Sequence, residues 1–244
     1  QGGDRDFVEQ MALHDSASIF PISVVKQLDT LQQISFKGFR RVSLTSKHLD
    51  EICSLPLLTQ LELDTILYNF TFIPASCDIA DISICNDTGT GSKTISLPDT
   101  WSLSTKIRYL QLRSINIQFD AVLPFANNAN IERLEVSHMQ NHKSTIPAWL
   151  FDGRMSKLRE LAVTHSHFYG PLPTAYSNSS QLIFVALNSN LLEGPIPGNL
   201  FDMPCLRILR LYSNNFSGSL PHITKERRKK IRCMSIADNP LIKP

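Results

Sequence analysis

The chain has 244 residues, and 42% of them are apolar. Its 24 basic and 22 acidic residues leave a formal net charge of +2, which gives no indication of a nucleic acid or an anionic membrane as the partner. No apolar segment is long enough to cross a bilayer, and length and composition together indicate a chain with ample core.

The first part of the chain, residues 4–36, shows no clear repeat. Residues 6–13 have the character of a helix, and residues 22–31 carry apolar side chains at helical spacing. A stack of repeated units needs a polar cover over its open apolar end. We therefore predict an N-terminal helical cap over residues 1–38 and one continuous repeat domain over residues 39–244.

Short apolar runs with alternating polar residues follow at regular distances. In a run of the form L-x-x-L-x-L the last four residues alternate, so apolar side chains point to one face of a short strand. The first run is either residues 31–36 or residues 39–44, and we favour 39–44 because the apolar residues of 49–58 then continue as a short repeat. Eight further runs start at Leu58, Ile79, Ile107, Ile131, Leu158, Leu182, Leu206 and Ile231. The sequence thus predicts about nine parallel strands.

Two independent signals share one period. The runs that start at Leu158, Leu182 and Leu206 are 24 residues apart. Prolines recur at intervals of 24, 26, 23, 26, 24 and 24 residues, at Pro74, Pro98, Pro124, Pro147, Pro173, Pro197 and Pro221. Glycines precede the last three of these prolines, and we expect the Gly-Pro segment to end any hydrogen-bonded ladder and turn the chain. A fixed period of this length is typical of a solenoid, in which each unit buries its apolar edge on its neighbours.

Residues 158–221 combine L-x-x-L-x-L with x-x-N-x-[LF]-x-G-x-[IL]-P, with Ser166 in place of the first asparagine. This combination resembles the plant-type leucine-rich repeat of extracellular domains of plant receptor-like kinases and of polygalacturonase-inhibiting proteins. Leu97-Pro-Asp-Thr-Trp101 is similar to a turn common in surface antigens of trypanosomatid protozoa. The resemblance implies an α/β solenoid: a leucine-rich repeat horseshoe with a curved parallel β-sheet on its concave face and short helices or irregular turns on its convex face.

In the plant-type repeat an asparagine follows each strand, and the resemblance implies that its amide satisfies backbone groups of the turn. Asn190, Asn214 and Asn239 occupy this position in three units. The earlier units carry other residues there, namely Lys47, Ile66, Asp87, Ile115, Met139 and Ser166. We therefore expect looser or irregular turns in the N-terminal two thirds of the chain.

Glycosylation sequons indicate the compartment. Four Asn-x-Ser/Thr sequons, the acceptors for N-glycosylation, lie at Asn69, Asn86, Asn178 and Asn215. Together with the resemblance they predict a glycoprotein that is secreted or lies at the extracellular face of the plasma membrane.

The five cysteines fit that compartment but do not define a pairing. Cys53, Cys77 and Cys85 lie in one local group, and Cys205 and Cys233 lie in neighbouring units. Disulfide bridges and small buried apolar residues are equally compatible with this spacing. Since the count is odd, at least one cysteine has no partner inside the chain.

The polar positions between the apolar strand residues predict the exposed concave face. Its candidate binding residues are aromatic and arginine side chains, which dominate binding energy at protein interfaces: Tyr109, Arg113, Phe184, Arg210 and Tyr212. A surface of this kind is wide and shallow, so we expect a protein or peptide ligand rather than an enclosed small molecule. The alternative is a solvated sheet face with no partner on it.

Two other features could carry chemistry. His138 and His165 occupy equivalent positions in adjacent units, about 5 Å apart on paired strands, where they could share a metal or sense acid. No carboxylate or cysteine joins them in register, so we expect ordinary exposed histidines and no metal site. The basic run Lys225–Lys230 could hold a glycosaminoglycan or an acidic lipid surface, although we favour a solvated convex face.

Catalytic motifs are absent from the sequence: it contains no G-x-S-x-G, no H-E-x-x-H and no phosphate-binding loop. We therefore predict no enzyme activity, no cofactor and no nucleic-acid partner, and membrane attachment only through segments outside this chain. The favoured function is an extracellular ectodomain of a receptor or surface glycoprotein that binds a protein or peptide ligand. The alternatives are a secreted inhibitor of a wall-degrading enzyme and a structural coat protein.

Overall fold

The computed structural model describes residues 10–13, 27, 29–36, 45–64, 74–85, 93–94, 97, 99–116, 126, 128–139, 144–176 and 180–243. Its strands are β1 (Gln10–Leu13), β2 (Gln33–Phe36), β3 (Gln60–Asp64), β4 (Asp81–Cys85), β5 (Lys93–Thr94), β6 (Tyr109–Arg113), β7 (Ile115–Asn116), β8 (Arg133–Ser137), β9 (Glu160–Thr164), β10 (Tyr169–Gly170), β11 (Phe184–Ala186), β12 (Leu191–Pro195), β13 (Ile208–Arg210), β14 (Asn215–Ser219), β15 (Cys233–Ser235) and β16 (Leu241–Lys243). Ten of them form one parallel sheet in the order β1-β2-β3-β4-β6-β8-β9-β11-β13-β15. Each coil adds one strand to this sheet, which confirms the predicted solenoid.

The alternation within each strand decides which side chains enter the core. Val185 lies opposite Leu161 on one neighbouring strand and opposite Leu209 on the other, and all three side chains are fully buried. The column continues through Leu134 and Leu110 in the preceding coils. A buried leucine contributes roughly 1.5–3 kcal/mol through the apolar surface removed from water, so the shared column stabilises the whole stack.

The N-terminal end of the sheet differs from the sequence predictions. Residues 10–13 form strand β1 instead of a helix, and β1 pairs in parallel with β2. The first repeat strand is β2, which pairs in register with β3, so the choice of residues 39–44 is wrong; those residues lie outside the described part of the chain. The described sheet has ten strands instead of about nine. Strands β1 and β2 both precede residue 39. At these residues the chain continues the sheet instead of forming the predicted helical cap.

A second parallel sheet accompanies the last four coils. It contains β10, β12, β14 and β16 in that order. Gly170, Gly194 and Gly218 lie in it with φ of 76, 77 and 80°, a conformation that side chains with a Cβ rarely adopt. These glycines let the chain pair with its neighbours a second time before each proline. Strands β10, β12 and β14 end at Gly170, Pro195 and Ser219, before Pro173, Pro197 and Pro221. The expectation that the Gly-Pro segment ends the ladder is therefore confirmed in these coils.

Short helices make the other connections on this convex side, as predicted. Helix α1 spans Ser46–Cys53 and helix α2 spans Lys225–Lys230. Three 3₁₀-helices span Asp99–Leu103, Ala148–Leu150 and Gly198–Asp202. Within the described residues, no helix combines the length and the apolar character needed to cross a membrane.

The asparagine after the strand satisfies backbone groups, as the resemblance implies. The side-chain Oδ1 of Asn190 accepts hydrogen bonds from the backbone N–H groups of Ser166 at 3.1 Å and Phe168 at 3.3 Å. Its Nδ2 donates to the carbonyl oxygens of Val163 at 2.8 Å and Leu187 at 3.0 Å. One buried amide thus joins the turns of two successive coils.

The described turns that lack this asparagine keep the same backbone conformation. The residue just before the asparagine position has a left-handed φ of 52–57° in six successive coils, at Ser114, His138, His165, Ser189, Ser213 and Asp238. At the asparagine position itself, Ile115 and Met139 are fully buried. Apolar burial therefore replaces the amide in these coils, and the looser turns that we expected are not found there.

One disulfide bridge, between Cys53 and Cys77, joins the end of α1 to the segment before β4 across a sequence separation of 24. Cys85 is buried. Cys205 and Cys233 remain as thiols although they lie in neighbouring coils. Both uses of cysteine that the sequence allowed, a bridge and a small buried side chain, therefore occur in the N-terminal group.

Candidate functional site

The outward side of the ten-stranded sheet, called the concave face below, carries polar side chains that bond from coil to coil. Ser35 Oγ donates to Glu62 Oε2 at 2.8 Å, and Gln60 Nε2 donates to Asp81 Oδ2 at 2.8 Å. These contacts form because equivalent side chains on paired strands lie about 5 Å apart. Neutral donors thereby fix the positions of two carboxylates on this face.

The two carboxylates line a groove of about 290 Å³ on β2, β3, β4 and β6, called the N-terminal groove. Its lining combines the strand residues Ile34 and Leu61 with amide, hydroxyl and carboxylate groups, and it includes Tyr109. Of the described residues that line it, Glu62 and Asp81 are acidic and none is basic. The groove can therefore accept hydrogen bonds and attract a positively charged group.

Tyr109, one of the predicted binding residues, is half-buried and held by its neighbours. Its hydroxyl donates to Glu135 Oε2 at 3.4 Å, and the guanidinium of Arg133 lies 5.3 Å from its ring centroid. Burial, and after it the Glu135 carboxylate, raises the pKa of Tyr109 to about 12. Arg133 in turn forms a salt bridge with Glu160. Arg133 and Glu160 therefore neutralise each other, whereas Glu135 keeps its charge beside a neutral hydroxyl.

A second hollow, of about 480 Å³, lies on β8, β9, β11 and β13 and is called the central depression. Its floor is formed by Ala162 and Ala186, which are paired neighbours in β9 and β11. The same column continues to Glu135 on one side and to Arg210 on the other. Alanine extends only one carbon from the backbone. The surface is therefore lower at the two alanines than at the carboxylate of Glu135 on one side and the guanidinium of Arg210 on the other.

The rim of the central depression contains three of the five predicted binding residues. The guanidinium of Arg210 lies 5.3 Å from the ring centroid of Phe184. Arg210 is exposed, whereas Phe184 and Tyr212 are half-buried, and all three line the depression. Tyr109 belongs to the N-terminal groove, and Arg113, exposed at the end of β6, lines neither hollow.

The alanines of the floor line this hollow but are not among the predicted binding residues. Those predictions favour large side chains, because large side chains dominate binding energy. The signal was nevertheless present: Ala162 and Ala186 are two small residues at the same outward position of successive coils. A hollow forms on the face of a sheet where the outward side chains are small, so successive small residues at one outward position predict a hollow.

Comparisons with known proteins agree with this architecture. No protein-family model matches the chain. A probable inactive receptor kinase of Arabidopsis thaliana is 33% identical over 98 residues, which are 37% of this chain and 15% of that protein. Receptor-like protein 47 of the same plant is 29% identical over 130 residues, 52% of this chain and 15% of that protein. The chain thus aligns with a small part of the length of these relatives.

Solved structures show the same fold. The leucine-rich repeat ectodomain of the Arabidopsis receptor kinase HAESA, in complex with a peptide hormone ligand, matches 87% of this chain and 39% of its own, at 18% identity and a TM-score of 0.50. This chain is a plant-type leucine-rich repeat solenoid. A plant ice-binding protein shares the fold with a TM-score of 0.52, 15% identity and coverage of 96% and 82% of the two chains. As in the ectodomains of receptor-like proteins, the leucine-rich repeats of this chain are secreted or lie at the extracellular face of the membrane.

Only one of the predicted glycosylation sites of this leucine-rich repeat chain falls in the described residues. Asn215 is exposed at the first position of β14 on the convex side. The asparagines at positions 69, 86 and 178 lie outside the described part. Because β14 lies in the convex sheet, a glycan on Asn215 leaves the concave face accessible.

The two histidines in register form a stacked pair. The ring centroids of His138 and His165 are 4.9 Å apart and their planes differ by 5°. Both residues have the left-handed backbone of the repeat turn. Across the described residues, no cluster of three or more histidine, cysteine or acidic side chains could hold a metal ion.

The basic run forms helix α2, in which no residue is buried. Arg228 donates to the carbonyl oxygen of Ile223 at 2.9 Å, and Arg227 lies 3.9 Å from Asp202. The remaining cations extend into solvent on the convex side. Binding of a glycosaminoglycan at Lys225–Lys230 stays a prediction.

Proposed function

We propose that the chain is a non-catalytic binding module that captures an extended peptide or protein segment on its concave face, with the central depression as the main site. The observation that carries the proposal is the alanine floor between Glu135 and Arg210, with Phe184 and Tyr212 at its rim. A side chain of the ligand fits above the floor, where it is surrounded by the aromatic and arginine side chains that favour binding.

The HAESA ectodomain, which has the same fold, holds a peptide hormone, and this supports a peptide ligand for the present chain. A ligand on the outward face of a parallel sheet can contact side chains from several coils at once. A segment that crosses the strands can therefore gather many weak contacts, as broad protein interfaces do.

The test is selection of peptides from a random display library on the glycosylated chain, followed by affinity measurements on the selected peptides. Replacing Arg210 and Tyr212 together by alanine should weaken binding at least tenfold, which corresponds to about 1.4 kcal/mol. The matched control is Leu103→Ala, because Leu103 is 85% exposed and lies outside the ten-stranded sheet. It should leave the affinity unchanged.

Two outcomes contradict the proposal. One is a library from which no peptide is enriched over a surface without protein. The other is a double variant that remains folded, by circular dichroism, and binds the selected peptides as tightly as the unmodified chain.

A further inference from the structure

The charges of the concave face change sign along the stack. At the outward positions of β2, β3 and β4 the described side chains include the carboxylates of Glu62 and Asp81 and no lysine, arginine or histidine. Asp81 is half-buried, and the hydrogen bond from Gln60 comes from a neutral amide. Within the described residues, the N-terminal end of the face therefore presents the carboxylate of Asp81, whose hydrogen-bond partner is neutral.

In the middle of the face, Arg133 and Glu160 neutralise each other, whereas the carboxylate of Glu135 has a neutral hydroxyl as its partner. Arg133 bonds to Glu160 through its guanidinium and covers the ring of Tyr109. The hydroxyl of Tyr109 donates to Glu135. The cation of this region is thus already occupied by protein groups.

Arg210 also covers an aromatic ring but lacks the carboxylate that Arg133 has. Arg133 lies directly opposite Tyr109 on the paired strand, whereas Arg210 lies diagonally from Phe184, because its own register partner is Ala186. Its guanidinium covers Phe184 as that of Arg133 covers Tyr109. Within the described residues no carboxylate pairs with it, and the outward positions of β11, β13 and β15 contain no aspartate or glutamate. Stacking on a ring leaves the edge of the guanidinium, with its N–H donors, available to an anion. The C-terminal end of the face is therefore positive.

Five strand spacings separate Asp81 on β4 from Arg210 on β13. At about 4.8 Å per spacing, and with a small offset along the strand, the two side chains are anchored roughly 25 Å apart. An extended peptide advances about 3.3 Å per residue, so about seven residues cover this distance.

We propose that the ligand is a bipolar peptide, with a basic side chain over Asp81 in the N-terminal groove and an acidic side chain at Arg210, about seven residues apart. This inference rests on the proposed function and adds to it the polarity and the charge spacing of the ligand. The central depression then takes the side chain between the two charged ends.

The test uses synthetic fluorescein-labelled peptides with a Gly-Ser background, a central phenylalanine, and one lysine and one glutamate at separations of three to ten residues, in both orders. Fluorescence anisotropy measures their affinity for the unmodified chain and for Asp81→Asn and Arg210→Gln. The best peptides should have a separation near seven, and replacing their lysine or glutamate by glutamine should weaken binding about fivefold.

Each variant should abolish the effect of one charge only. Binding to Asp81→Asn should no longer depend on the lysine but should still depend on the glutamate, and Arg210→Gln should show the reverse. The matched control is Arg133→Gln, which removes an arginine that also covers an aromatic ring. It should leave the dependence on the peptide glutamate intact, whatever its effect on overall affinity.

Affinities that ignore the charge spacing, or variants that weaken all peptides equally, overturn the bipolar ligand and leave peptide capture in place. Failure of every peptide in this series together with failure of the random library overturns both proposals.

Discussion

Asn190 is the residue at which the energetics of the repeat can be tested most directly. It is 6% exposed, and its amide accepts hydrogen bonds from the N–H groups of Ser166 and Phe168 while it donates to carbonyl groups of both coils. The substitution Asn190→Ala removes all of these bonds and adds no group that could replace them. The backbone of two turns is then left buried and unsatisfied.

The magnitude follows from the two N–H groups. Each buried donor without an acceptor costs about 1–3 kcal/mol, so we expect Asn190→Ala, which orphans two of them, to lower the free energy of unfolding by about 2–6 kcal/mol. The adjacent Asn188 provides a matched control, because it is 4% exposed but its side chain donates only to Ser189 Oγ, at 3.3 Å. Asn188→Ala should cost about 1 kcal/mol or less.

Urea unfolding followed by circular dichroism measures the two variants. Because coils of a solenoid can unfold separately, hydrogen exchange of the Ser166 and Phe168 amides is the local measurement. These amides should exchange at least tenfold faster in Asn190→Ala than in Asn188→Ala. Equal unfolding free energies and equal exchange rates in the two variants would refute the assignment of the asparagine as the joint between coils.

Three further results are expected. Replacing Cys53 and Cys77 by serine should lower the free energy of unfolding by about 3 kcal/mol, from the chain entropy of a loop of this length; the same loss on adding reductant to the unmodified chain, and no effect of reductant on the variant, checks it. The pKa of Tyr109 is raised to about 12 from an unfolded value of about 10, so Tyr109 should ionise at higher pH than exposed tyrosines in an ultraviolet titration. The stability that this group contributes is present below pH 10 and falls between about pH 10 and 12. Glu135→Gln should shift the ionisation of Tyr109 to lower pH, and an unshifted curve contradicts the assigned contact. Gly194→Ala should cost about 1–2 kcal/mol because φ is 77°, measured by urea unfolding, and an unchanged midpoint would show that the second sheet tolerates a side chain there.

The sequence allowed most of the solenoid to be predicted because its signals are local. A run such as residues 158–163 alternates within one strand, and the same run returns 24 residues later, so strand positions and their parallel stacking follow from repetition alone. The N-terminal end was harder, because residues 31–36 and 39–44 both alternate. Only the pairing of β2 with β3 distinguishes them.

The second sheet shows a different limit. The sequence predicts unusual backbone at Gly170, Gly194 and Gly218 and an end to pairing at the proline that follows, and both predictions are confirmed. It does not predict that the residues before these prolines pair with the neighbouring coils. Such pairing depends on the distance between coils, which is set by the stack and not by the coil's own residues.

The sequence by itself determined the period, the inward column represented by Leu161, Val185 and Leu209, and the joints at Asn190 and its equivalents, because each depends on residues within one repeat or on exact recurrence. The tertiary structure decided the shape and the electrostatics of the concave face. Ala162 and Ala186 become a floor only when β9 and β11 pair. Arg133 is neutralised because Glu160 lies on the adjacent strand, whereas no carboxylate pairs with Arg210 within the described residues. The hollows and the ion pairs of the concave face each need side chains from neighbouring coils, so they form only when the coils are stacked.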